Sequence, residues 1–141
     1  MDQESIVYGC IKDVSDEHSS SFRISANRDA ILCLPGADEW SFIYKDMFSL
    51  PIVDKPRNSY QTDVIHFGAS YKAIEYEWAQ WIAQFEALLN KMYWMSATVH
   101  LETEISGIHT FTWQAKGRWH EPGSQAMNVK CEWSREGALE F

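Results

Sequence analysis

The sequence predicts an α+β domain in which a mostly antiparallel sheet carries one long amphipathic helix on its apolar face. Three observations predict it. Residues 73–94, AIEYEWAQWIAQFEALLNKMYW, place Ile74, Trp78, Trp81, Ile82, Phe85, Leu88, Leu89 and Met92 at spacings of three and four, which gives one broad apolar stripe about six turns long. Beyond it, MSATVHLETE and GIHTFTWQA alternate apolar with polar residues and are divided by Ile105-Ser106-Gly107, the pattern of a β-hairpin. MNVKCEW, residues 127–133, alternates in the same way and extends the antiparallel sheet.

The remaining elements follow in chain order. ESIVYGCIK, residues 4–12, is β-branched and aromatic and reads as a strand with apolar character on both faces. SANRDAILCL, residues 25–34, reads as a short helix with Ser25 as its N-cap and Pro35-Gly36 as its stop. Residues 37–61 carry two prolines and mixed periodicity, and read as a long connection pinned by its aromatic residues. TDVIHFGAS, residues 62–70, reads as a buried strand ended by Gly68, with Ser70 placed to cap the long helix. Glu75 and Glu77 near the start of that helix and Lys91 near its end suit the helix dipole. Residues 116–125 read as a loop turning at Pro122-Gly123.

The hairpin register decides what its two histidines can do. A three-residue loop with Gly107 at its left-handed position sets Glu104 opposite Ile108, Thr103 opposite His109, Leu101 opposite Phe111 and Val99 opposite Trp113. Ala97, Val99, Leu101, Phe111 and Trp113 then share an apolar face. Thr98, His100, Glu102, Glu104, Thr110, Thr112 and Gln114 share a polar one. His100 and His109 project from opposite faces, so the hairpin does not bring them to one metal ion.

Composition bounds the function. The 141 residues form one domain, 1–141, and 45% hydrophobic content with seven Trp, seven Phe and six Tyr supplies a folded core. Twenty acidic against twelve basic residues give a net charge of −8, which disfavours nucleic acid and favours a basic partner or plain solubility. The acidic start MDQESIVYGC has no basic region followed by an apolar one, and no run reaches the length of a membrane span, so a cytoplasmic location and no membrane partner are expected. Cys10, Cys33 and Cys131 are widely spaced and are expected to be reduced, buried and apolar in role.

Motifs for catalysis are sparse. The chain has no GxSxG, HExxH, GxxxxGK[ST] or GxGxxG pattern. FGASYK gathers Gly68, Ser70 and Lys72 without the glycine spacing of a phosphate loop. Asp38 with Glu39, and Glu102 with Glu104, are carboxylate pairs able to act as acid and base only if burial separates them. A metal-dependent hydrolase using His100, Glu102 and a distant His66 or His120 is one alternative reading, and a small-ligand module with an aromatic pocket is another. No metal and no cofactor is expected, nor any catalytic residue.

The tract 64–113, with FGASY, EYEWAQW, FEALL and GIHTFTW, resembles small cytoplasmic immunity proteins encoded beside bacterial polymorphic toxins, nearest to the immunity-protein-52 type. The resemblance implies a protein without catalysis that binds a cognate secreted toxin domain, basic in character and of the restriction-endonuclease-like nuclease kind, and blocks it. Thr98, His100, Glu102, Glu104, Thr110 and Thr112, joined by Asp38, Glu39 and Trp40 from the long connection, are the expected partner-binding residues.

Overall fold

The computed structural model describes residues 3–14, 20–39, 41–52, 63–124 and 127–136, the last stretch and residue 20 by backbone alone. Strands β1 (Glu4–Asp13), β2 (Asp63–Lys72), β3 (Ser96–Thr103), β4 (Gly107–Ala115) and β5 (Met127–Glu136) form one antiparallel sheet in the order β2-β1-β3-β4-β5. Helix α1 (Ser20–Leu32) and helix α2 (Trp78–Leu89) complete it. The α+β class with a helix on the apolar face of an antiparallel sheet therefore holds.

Alternation explains which face is covered. Val7 and Ile11 of β1, Ile65 and Phe67 of β2, Ala97, Val99 and Leu101 of β3, and Phe111 and Trp113 of β4 are all buried. Their registers set Gly9 beside both Phe67 and Val99, and Ile11 beside both Ile65 and Ala97, so they share one face. Trp81, Phe85, Leu88 and Leu89 of α2 lie at spacings of three and four and fill that face. Phe85 centres an aromatic cluster, with ring centroids 5.2 Å from Trp81, 5.3 Å from Phe67 and 5.1 Å from Trp113.

Helix α2 is shorter than its apolar stripe. Strand β2 runs past Gly68 to Lys72, and Ser70 sits inside it, its hydroxyl donating to Glu4 Oε1 at 2.6 Å rather than capping a helix. Ala73 takes a left-handed φ of 52°, and Ile74–Glu77 form a 3₁₀ turn before the α-helix begins. At the other end Lys91 and Met92 donate to the carbonyls of Leu88 and Leu89 in a tight last turn, which releases Trp94 to bridge His120. Met92 and Trp94 continue the burial without continuing the helix.

Helix α1 starts earlier than the sequence indicates, and Ser25 lies within it, not at its cap. Its buried side includes two polar residues, Arg23 and Asn27, alongside Ile24 and Ile31. Arg23 pairs with Asp13 at the end of β1, and Asn27 both donates to the carbonyl of Tyr93 and accepts its N–H, at 2.9 and 2.8 Å. The helix ends before Pro35, as expected. Cys10 is half-buried, but Cys33 is exposed, because it follows α1 on the solvent side; both are free. Glu121-Pro122-Gly123-Ser124 closes a turn in which Ser124 N–H donates to the carbonyl of Glu121 and Gly123 takes φ 81°.

Two stability predictions arise here. A Cβ placed on Gly9 would stand 2.0 Å from the carbonyl oxygen of Thr98 and 2.9 Å from Cζ of Phe67, so Gly9→Ala forces β1 and β3 apart at the centre of the sheet. Urea denaturation should show a loss of about 2–3 kcal/mol, and an unchanged midpoint would contradict this close approach.

The second concerns alkaline pH. The Tyr71 hydroxyl donates to the carbonyl of Phe42 at 2.6 Å and accepts from Trp81 Nε1 at 3.1 Å, which ties the 41–48 connection to β2. Burial pushes its phenol up to about 12, against the opposing effect of the Trp81 hydrogen bond. The folded pKa lies above the unfolded value of about 10, so the contribution is complete below pH 10 and is lost as pH rises towards 12. Stability should fall more between pH 9 and 11.5 for the native chain than for Tyr71→Phe, and parallel falls would remove Tyr71 as the cause.

Candidate functional site

No helix among the described residues covers the second face of the sheet, which consists of cross-strand rows. The central row runs Gly68, Tyr8, His100, Thr110. Tyr8 and His100 hold their rings 5.0 Å apart, and His100 Nδ1 lies 2.9 Å from Thr110 Oγ1. The next row towards the hairpin end runs Ser70, Ile6, Glu102, Ile108. Beyond it Lys72 pairs with Glu4, whose N–H donates to Glu104 Oε1 at 3.4 Å. On the other side of the centre, His66, Cys10, Thr98 and Thr112 make one row, and Val64, Lys12, Ser96 and Gln114 the last.

The hairpin register differs from the expected one by two residues. Thr103 faces Gly107, Leu101 faces His109, Val99 faces Phe111 and Ala97 faces Trp113. A network in the turn sets it: Ser106 N–H donates to Thr103 Oγ1 at 2.9 Å, and Ser106 Oγ lies 2.6 Å from Thr103 Oγ1 and 2.8 Å from His109 Nε2. Gly107 then opens β4 with φ 80°. An even shift leaves each side chain on its face, so Thr98, His100, Glu102, Thr110 and Thr112 do come together. His109 is buried on the apolar face, away from His100.

Other expected residues fall elsewhere. Glu104 lies in the hairpin loop at the rim of the open face. Asp38 and Glu39 form an exposed 3₁₀ turn after α1, and Glu39 Oε2 accepts the N–H of Gly36 at 2.6 Å. The segment that follows is held to α2, since Gln84 Oε1 accepts from Ser41 Oγ and from Ile43 N–H. Asp38 and Glu39 therefore belong to the helix layer and do not join the open face. Trp40 lies outside the described residues.

Sequence reasoning missed Ile6, Tyr8 and Cys10, which enter the site because β1 is inserted between β2 and β3. Apolar character on both faces of residues 4–12 signals that such side chains reach the second face, whereas the place of β1 between β2 and β3 has no local signal.

The ligand chemistry of the face is limited. His66 is separated from His100 by strand β1. His120 is buried elsewhere, stacked on Trp94 with centroids 5.0 Å apart and with Nδ1 2.9 Å from the carbonyl oxygen of Met92. Among the described residues no group of three or more His, Cys, Asp or Glu side chains is disposed to hold a metal ion. A cavity of about 520 Å³ lies on the helix side, lined by Ile11, Ile24, Ile65 and Tyr93 among others. Two of its polar lining groups are already committed, Asp13 to Arg23 and Asn27 to the Tyr93 backbone.

Comparison of the chain with protein-family models, with curated proteins and with solved structures finds no match in any of the three. Among the described residues no helix is long and apolar enough to cross a membrane.

Proposed function

We propose that the protein works by binding another protein through the open face of its sheet, and that it is an immunity protein which neutralises a cognate secreted antibacterial toxin. The observation that carries the reading is the sheet face that no helix among the described residues covers. It sets the Tyr8–His100 pair among threonines and aliphatic side chains, with Glu4, Glu102 and Glu104 gathered at one end. Aromatic groups backed by a rigid sheet make a contact surface at low entropic cost. The net charge of −8 steers the protein towards a basic partner, as the substrate channel of a nuclease toxin would be. In this reading the protein acts by occlusion, without catalysis.

The test is coexpression with the toxin domain encoded by the adjacent gene. The chain should suppress toxicity and copurify with that domain, and Tyr8→Ala with His100→Ala should weaken both effects while leaving the fold intact. Failure of the native chain to suppress toxicity and to copurify would sink the reading.

A further inference from the structure

We propose that Glu102 is the seat for an arginine side chain of the partner protein, an inference that rests on the open face being the binding surface. Glu102 is half-buried and stands in one cross-strand row with Ile6 on β1 and Ile108 on β4. Directly opposed side chains on neighbouring strands have Cβ atoms about 5 Å apart, so two aliphatic groups wall the carboxylate on both flanks. Ile6 is 38% exposed and so offers apolar surface beside the carboxylate.

The lysines that β1 and β2 contribute to this face are remote from Glu102. Lys72 is on β2, two strands away at a spacing of roughly 9–10 Å, and is aligned with Glu4. Lys12 is six positions further along β1 than Ile6, roughly 20 Å along the strand. Of the carboxylates nearby, Glu4 on β1 accepts a hydrogen bond from Ser70 Oγ, and Glu104 in the hairpin loop accepts one from the Glu4 N–H. Glu102 thus offers two oxygens in a setting partly shielded from water, where a charge-assisted pair is stronger than on an open surface.

The surroundings select arginine over lysine. A guanidinium is planar, weakly hydrated and able to present two parallel N–H groups to one carboxylate. Its faces would lie against Ile6 and Ile108, and the Tyr8–His100 pair in the next row provides a further flat surface. A lysine ammonium is a strongly hydrated point charge and gains little from apolar walls. Charge complementarity with a basic toxin domain supplies the occupant, and the row supplies its register.

Titration of the full chain, isotopically labelled for amide NMR, with tri-arginine and separately with tri-lysine tests the seat. Tri-arginine should shift the amides of Ile6, Tyr8, His100, Glu102 and Ile108, tri-lysine should bind more weakly, and Glu102→Gln should abolish the arginine response with the rest of the spectrum unchanged. Equal responses to the two peptides, or shifts that survive in Glu102→Gln, would overturn it. Against the toxin domain, Glu102→Gln should weaken binding about 30-fold, the size of a hot-spot loss. If the variant binds as tightly as the native chain, the seat is wrong and the immunity reading stands. If tri-arginine occupies the seat but no toxin is neutralised, the seat stands and the immunity reading fails.

Discussion

Asp13→Ala is expected to lower the free energy of unfolding by about 3–5 kcal/mol, the size of effect found when one member of a buried ion pair is removed. Asp13 and Arg23 are 4% and 3% exposed. Arg23 Nε donates to Asp13 Oδ2 at 2.9 Å and Nη2 donates to Oδ1, which also accepts the N–H of Val14. The guanidinium is further enclosed by the rings of Tyr93 and Trp119, 5.1 and 4.7 Å from its carbon. Alanine would leave this cation with ring faces for company and no carboxylate. The double variant Asp13→Ala with Arg23→Met should recover much of the loss, because a buried pair replaced by apolar groups is often nearly neutral. Urea denaturation of the three chains checks it, and a single-variant loss below about 1 kcal/mol would mean that water reaches the pair.

Phe85→Ala should cost a similar amount, about 3–5 kcal/mol, by a different route. Phe85 is fully buried and touches rings on α2, β2 and β4, so its removal opens a cavity where helix and sheet meet. Trp81 and Trp113 are held by their own hydrogen bonds, to the Tyr71 hydroxyl and to Glu86 Oε2, and cannot collapse freely into the space. Phe85→Leu, which keeps most of the volume, should lose less than half as much. Equal losses for the two variants would show that ring contacts, and not the cavity, set the energy.

How far these features are legible in the sequence depends on whether a residue obeys its local pattern. The two-residue period of 96–115 assigns every side chain of β3 and β4 to its correct face, even though the register is displaced by the Thr103-Ser106-His109 network. Side-chain bonding within a turn has no hydrophobic signature. Helix α1 is faint for a related reason: Arg23 and Asn27 occupy core positions, and their partners Asp13 and Tyr93 lie outside the helix, 10 and 66 residues away. The stripe at 73–94 is correct as a burial pattern but overstates the helix, since Ala73 and the last turn bend the backbone while Ile74, Met92 and Trp94 stay buried. The candidate site was half visible. Its β3–β4 half follows from alternation, whereas Ile6 and Tyr8 join it through a pairing that local pattern does not encode.

The position of β1 in the sheet has a consequence for how the chain assembles as it is made. The hairpin β3–β4 and the added β5 are neighbours in sequence and can form from nearby residues. Strand β1 must wait for partners about 50 to 100 positions later, and closing such large loops is slow compared with hairpin formation. During synthesis the first strand therefore emerges with both edges unpaired and is joined to the sheet only after β3 has followed. The face proposed to meet the partner is complete only at that point, because Tyr8 comes from β1 and His100 from β3, so a nascent or partly folded chain would not yet carry the Tyr8–His100 pair.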